Sequence, residues 1–181
     1  SRKNSAIRRI CRVRAVPTGQ AEGPRRTLEL REPVTVRTPA GFLQFKGKPY
    51  REQVQIHSVG SFCEVVNEVD VEKYLQGLVN SEFSSKWSEE AVGAQAVAAR
   101  TYALHQIRTA RAQKGRHYDV DATVRDQVYD GSIKEDLRAS QGVERTRGLV
   151  LMASADTRAA PLKAFYHSTC GGSTELPQNV W

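Results

Sequence analysis

The apolar positions change period part-way along the chain. In the N-terminal part, short runs alternate in the manner of strands: residues 27–31, 34–37, 41–45, 54–56 and 62–69, punctuated by Pro33, Pro39, Gly47 and Pro49. From there the spacing becomes helical. Leu75, Leu78, Val79 and, one turn on, Phe83 give a first helix one apolar face. A second, longer helix has a clear start: Ser88 as N-cap, with Glu89 and Glu90 in the first turn, where the helix dipole favours negative charge. Trp87 and Val92 occupy hydrophobic-staple positions around that cap. The alanine-rich body of this helix lets other backbone approach closely and predicts burial on more than one side. Its expected end is near Gly115, with Arg108, Arg111 and Lys114 at the negative pole. The spacing then predicts a third helix over 134–142 and two returning strands over 148–152 and 162–166. Ile7, Ile10 and Val13 fit either an arm or a first edge element. The fold class is therefore α+β, a small antiparallel sheet packed with a helical core.

The length, 181 residues, suits one sizeable core or one domain with an appended lobe. No apolar run approaches a membrane span. The net charge of +7 is concentrated early, in Arg2, Lys3, Arg8, Arg9, Arg12, Arg14, Arg25, Arg26 and Arg31. Such a balance suits an anionic partner. No zinc-finger spacing or RNA-binding aromatic signature accompanies it, which argues against nucleic acid. Cys11, Cys63 and Cys170 form no CxxC pair, and one pair can bridge in an oxidising compartment. The opening Ser-Arg-Lys-Asn has no apolar leader core, so the sequence reads as a mature or recombinant fragment.

Two charged residues stand out against the helical pattern. Glu82 follows the apolar face of the first helix; it reads either as an exposed turn carboxylate or as a partly desolvated carboxyl on the rim of a cleft. Arg100 lies inside the alanine run; it reads as a snorkelling charge, a structural salt bridge, or a partner that orients a carboxyl or clamps substrate. Burial raises a carboxyl pKa towards the range useful for a general acid, and a close arginine lowers it. The sequence leaves that balance open.

The motifs around these residues resemble the SpoIID family, the stage II sporulation protein D and amidase-enhancer group of cell-wall proteins. The first block runs Val66-Asn67-Glu68, Tyr74-Leu75-Gln76-Gly77, Val79, Glu82, Trp87 and Gln95 to Ala103. The second is Asp126 to Gly131, and the third Phe165 to Gly172 with Thr174-Glu175 and Val180-Trp181. On this resemblance residues 1–65 are a basic arm and β-rich lobe, and 66–181 a SpoIID-like catalytic region with an open substrate groove. Relatives continue past the third motif, so further residues are expected after Trp181.

The resemblance implies a peptidoglycan lytic transglycosylase acting in the periplasm or outside the cell, on glycan strands that include peptide-free ones. Glu82 matches the family's essential glutamate and is the expected acid and base. Arg100, Gln127, Tyr129, His167, Ser168 and Thr169 are the expected substrate contacts, in an open groove with Glu82 on one wall and the His167 turn on the other. The alternative is a non-catalytic binder that enhances an N-acetylmuramoyl-L-alanine amidase. No cofactor is expected. Some relatives hold zinc through a Cys and His cluster before the Gln-Val-Tyr block; here Asp121, Arg125 and Asp126 stand at the matching positions and supply no soft donor, so metal binding by that route is not expected. If those aspartates matter, a pair with Arg125 or a helix start is the expected use.

Overall fold

The computed structural model describes residues 11–15, 26–30, 33–38, 41–155, 159–167 and 171–179. The chain divides into two compact units, Ser1–Val69 and Asp70–Trp181.

The first unit is all β. Strands β1 (Cys11–Ala15) and β2 (Arg26–Leu30) pair antiparallel, so of an arm and a first edge element the described residues 11–15 are the edge element. A three-stranded antiparallel sheet has the order β3 (Val34–Arg37), β6 (Gln53–Val59), β7 (Phe62–Glu68). A hairpin of β4 (Leu43–Phe45) and β5 (Lys48–Tyr50) completes it. Its two-residue turn takes positive φ at both Lys46 (49°) and Gly47 (77°), the primed geometry whose twist matches a hairpin. β5 escaped the sequence pattern because Pro49 sits in its middle; a two-stranded hairpin tolerates the missing N–H. Leu30, Val54 and Ile56 form a small core, with Val34, Leu43, Tyr50 and Val65 packed on it.

The second unit is helical. Helix α1 (Val71–Glu82) starts at Asp70, whose carboxylate accepts the Glu72 N–H at 2.9 Å. Its apolar stripe, Leu75, Leu78 and Val79, is fully buried, each side chain contributing about 1.5–3 kcal/mol. Phe83 ends the helix in extended backbone (φ −152°) instead of continuing the stripe. Helix α2 (Glu89–Ala110) starts at Ser88 as the sequence predicts, its hydroxyl accepting the Ala91 N–H at 3.3 Å. It ends earlier than Gly115: the N–H groups of Ala112 and Gln113 bond back to Thr109 and Ala110, three residues rather than four, which tightens the last turn. Helix α3 (Leu137–Arg145) starts three residues later than predicted, because Asp136 is its cap, accepting the Ala139 N–H at 2.8 Å.

The two returning strands do not form. The segment has only an isolated bridge between Met152 and Pro161. Side chains of α2 take the place of a strand partner: Arg100 donates to the Leu149 carbonyl at 3.2 Å and the Thr101 hydroxyl accepts the Leu151 N–H at 3.0 Å. With the Leu162 N–H donating to the Leu151 carbonyl at 3.0 Å, these bonds engage the backbone without a ladder, and the apolar run 148–152 stays irregular. Helices with small antiparallel sheets make the chain α+β. No helix among the described residues is long and apolar enough to cross a membrane.

Candidate functional site

Glu82 is the last residue of α1, half-buried, with one carboxylate oxygen fixed. Oε1 accepts the backbone N–H of Val128 at 2.5 Å. Oε2 has no hydrogen-bond partner among the described residues. The helix end thus delivers the carboxylate, and the Gln127–Tyr129 segment anchors it from the other side.

That segment is itself tightly held. The N–H groups of Gln127 and Tyr129 donate to the Asp121 and Ala122 carbonyls, each at 3.3 Å. The Gln127 side chain is 0% exposed and fully committed: its Nε2 donates to the Ala99 carbonyl (3.2 Å) and the Tyr166 hydroxyl (2.9 Å), and its Oε1 accepts the Tyr74 hydroxyl at 3.1 Å. It ties α1, α2 and the 166 segment together instead of facing a groove. Tyr129 is buried with its ring 4.7 Å from that of Tyr74. α1 approaches this segment closely at Gly77, where a Cβ would lie 2.2 Å from the Gly131 carbonyl oxygen.

The phenols beside Glu82 stay protonated. Burial pushes the Tyr74 hydroxyl well above its ordinary pKa, with Tyr166, Tyr129 and Glu82 adding to the shift. Burial raises Tyr166 to about 12; the Gln127 amide opposes this and the charge of Glu82 adds to it. Both therefore present O–H donors in any neutral solution. Tyr166 is close enough to feel Glu82 electrostatically, and His167, exposed, is the next residue. Ser168 and Thr169 lie outside the described residues.

Arg100 goes elsewhere. It is 1% exposed, and its N–H groups reach five acceptors. Nε and Nη2 clasp the two oxygens of Glu72 at 2.9 and 2.7 Å. The other bonds go to Thr146 Oγ1 (3.4 Å) and to the carbonyls of Leu149 (3.2 Å) and Val143 (3.1 Å). Of the roles open to it, this geometry is the structural salt bridge, welding α1, α2 and the end of α3. Glu72, its partner, carries no distinguishing signal in the sequence, since one acid in the first turn of a helix looks like dipole complementation.

The aspartates before the Gln-Val-Tyr block are also bound within the protein. Asp126 Oδ1 accepts the Tyr102 hydroxyl (2.7 Å) and Gln106 Nε2 (2.5 Å); Oδ2 accepts the Asp121 N–H at 2.8 Å. Its ion pair is with Arg116, at 3.7 Å, and not with Arg125. Arg116 comes from the turns after α2, a proximity that sequence spacing does not reveal. Asp121 closes a local turn, accepting the Thr123 N–H at 2.9 Å. Among the described residues no three His, Cys, Asp or Glu side chains gather as a metal site.

A family model described as SpoIID, Stage II sporulation protein, matches residues 60–152, a little over half of the chain. Among curated proteins, an uncharacterized protein of Brachyspira hyodysenteriae (strain ATCC 49526 / WA1) is 34% identical over 151 residues, covering 83% of this chain and 39% of its own. An Amidase enhancer of Bacillus subtilis (strain 168) is 35% identical over 107 residues, 59% of this chain and 13% of the relative. Stage II sporulation protein D of Bacillus amyloliquefaciens is 31% identical over 126 residues, 64% and 36%. The chain thus spans well under half the length of these relatives. No solved structure matches.

Proposed function

Since the chain belongs to the SpoIID family of stage II sporulation proteins, we propose that it acts on the cell wall as a lytic transglycosylase, cleaving the bond between N-acetylmuramic acid and N-acetylglucosamine in peptidoglycan strands. The observation that carries this reading is the presentation of Glu82: one oxygen held by the Val128 N–H, the other without a hydrogen-bond partner among the described residues, at a helix end beside two protonated phenols. A single carboxyl of that kind suffices. As the acid it gives its proton to the glycosidic oxygen as the bond from the muramic C1 breaks, and the glucosamine leaves as an alcohol. As the carboxylate it then takes the proton of the same muramic residue's 6-hydroxyl, whose oxygen closes on C1. The product is a 1,6-anhydro ring, the proton returns to Glu82, and no water is consumed. The second carboxylate that hydrolases use to activate water or trap the sugar is not needed.

The substrate lies, in this reading, in a groove between Glu82 and the His167 turn. Glu82 and Tyr166, the residue before His167, are both tied to the 127–128 segment, Glu82 by the Val128 N–H and Tyr166 by the Gln127 amide at 2.9 Å, which supports that convergence. Tyr166 and His167 are then the contacts to the sugar. Arg100, Gln127 and Tyr129 act behind them, through the packing they hold. Cys63 is disulfide-bonded, which suits a periplasmic or extracellular setting, and the +7 charge suits an anionic wall polymer.

The second reading, a glycan-gripping enhancer of a cell-wall amidase, is favoured by the relative named Amidase enhancer. Mass spectrometry of purified peptidoglycan, with and without stem peptides, separates the two. Anhydro ends produced by the wild type and lost in Glu82→Gln support transglycosylation; reducing ends indicate hydrolysis; glycan binding without products indicates the enhancer.

A further inference from the structure

Trp87 is 61% exposed, in a turn that is otherwise well tethered. Its backbone N–H donates to the Ser84 carbonyl at 3.2 Å, and its carbonyl accepts Arg138 Nη2 at 2.9 Å. Its ring leans on that of Phe83, centroids 4.9 Å apart and planes tilted by 59°. The turn beneath is pinned as well: the Ser85 N–H donates to Asn80 Oδ1 at 3.1 Å, the Ser85 hydroxyl bonds Asp136, and Asn80 Nδ2 donates to the Lys134 carbonyl at 3.1 Å. An indole usually hides most of its area, and this one is held out of the core by fixed backbone. Its ring N–H has no partner among the described residues.

We propose that Trp87, braced by Phe83, is a sugar platform that holds a hexosamine ring of the glycan strand beside Glu82. The inference rests on the glycan-cleaving reading above and assigns it a binding residue. The chemistry fits in two ways. One face of a pyranose is a row of C–H groups, which packs on an electron-rich ring, while its edge carries acceptors that an indole N–H can reach. Phe83 caps the helix that Glu82 ends, so the platform is built on the same helix end that presents the carboxylate. One braced ring with a free donor is matched to a ligand ring. A protein partner would need roughly 800 Å² of covered surface per side, whereas the neighbours here, Ser84, Lys86 and Ser88, are polar and exposed.

The chain has only two tryptophans, so Trp181→Phe makes Trp87 the sole indole reporter. In the protein carrying Glu82→Gln and Trp181→Phe, titration with soluble peptide-free glycan strands is expected to quench and blue-shift the emission saturably. In active protein, Trp87→Ala is expected to raise KM about tenfold with kcat within about twofold, and Trp87→Phe to recover most of that loss. Unchanged thermal melting of Trp87→Ala keeps a folding defect out of the comparison. Strands that cosediment with Glu82→Gln protein without altering Trp87 emission would overturn the platform and leave the proposed function standing. Emission that responds to a purified cell-wall amidase but not to glycan would overturn it in favour of protein docking. Wild-type protein that neither binds nor cleaves glycan would overturn the proposed function and the platform together.

Discussion

The buried pair of Glu72 and Arg100 gives the sharpest test of how this helical unit is held. Glu72→Gln keeps the shape of the side chain and removes its charge. Arg100 is then left 1% exposed with neutral acceptors only, the amide oxygen, the Thr146 hydroxyl and two backbone carbonyls, and one of its close N–H···O contacts faces an NH₂ group or a weaker oxygen. Removing one partner of a buried ion pair costs about 3–5 kcal/mol, a large share of the roughly 5–15 kcal/mol that holds a domain. With a urea slope near 2 kcal/mol per molar, the midpoint is expected to fall by roughly 2 M. Arg100→Met strands the Glu72 carboxylate and is expected to cost as much. The double variant Glu72→Leu with Arg100→Met leaves no charge behind and is expected to regain most of the loss. A cost below about 1 kcal/mol for Glu72→Gln would refute the reasoning. The double variant also separates fold from chemistry: if it folds like the wild type and cleaves glycan, Arg100 serves the structure alone. If it folds but no longer cleaves, the Glu72–Arg100 pair also positions the site.

Three further outcomes are expected. Glu82→Gln should lower cleavage by at least 10²- to 10⁴-fold, the usual worth of a positioned acid–base, with the urea midpoint little changed; a kinetic assay showing near wild-type turnover would remove Glu82 from the chemistry. Gly77→Ala should destabilise despite alanine's helix propensity of about 1 kcal/mol over glycine, because the new Cβ falls 2.2 Å from the Gly131 carbonyl and overpacking costs about 1–3 kcal/mol; equal or higher stability in denaturant would show that the 129–131 segment yields freely. The raised pKa of Tyr166, about 12 from burial, means the folded state holds its proton more tightly than the unfolded chain. That contribution to stability is complete below about pH 10 and is lost as pH rises towards 12; melting across that window should show a steeper alkaline loss in the wild type than in Tyr166→Phe, and identical slopes would contradict it.

Local patterning carried much of this architecture. Alternation marked β3, β4, β6 and β7, and the spacing of Leu75, Leu78 and Val79 marked the buried face of α1, because both signals are properties of neighbouring residues. Ser88 marked the start of α2 for the same reason: an N-cap is satisfied within three residues. The motif around Glu82 marks that carboxylate from local sequence alone.

What sequence could not supply was anything that depends on a distant partner. The run 148–152 reads as a strand, yet Thr101 and Arg100 take its hydrogen bonds from across the unit. Arg100 reads equally as substrate clamp or salt bridge, and only the arrival of Glu72, 28 residues away, decides between them. Gln127 looks like a groove residue until its amide is found spent on Ala99, Tyr74 and Tyr166. Asp126 finds Arg116 rather than its neighbour Arg125 because the turns after α2 bring that guanidinium back. The sequence by itself determined the periods, the caps and the residue chemistry. The tertiary structure decided which polar groups are consumed by the fold and which, like Glu82 Oε2 and the Trp87 indole, have no hydrogen-bond partner among the described residues, because burial and partnership exist only once distant segments have packed.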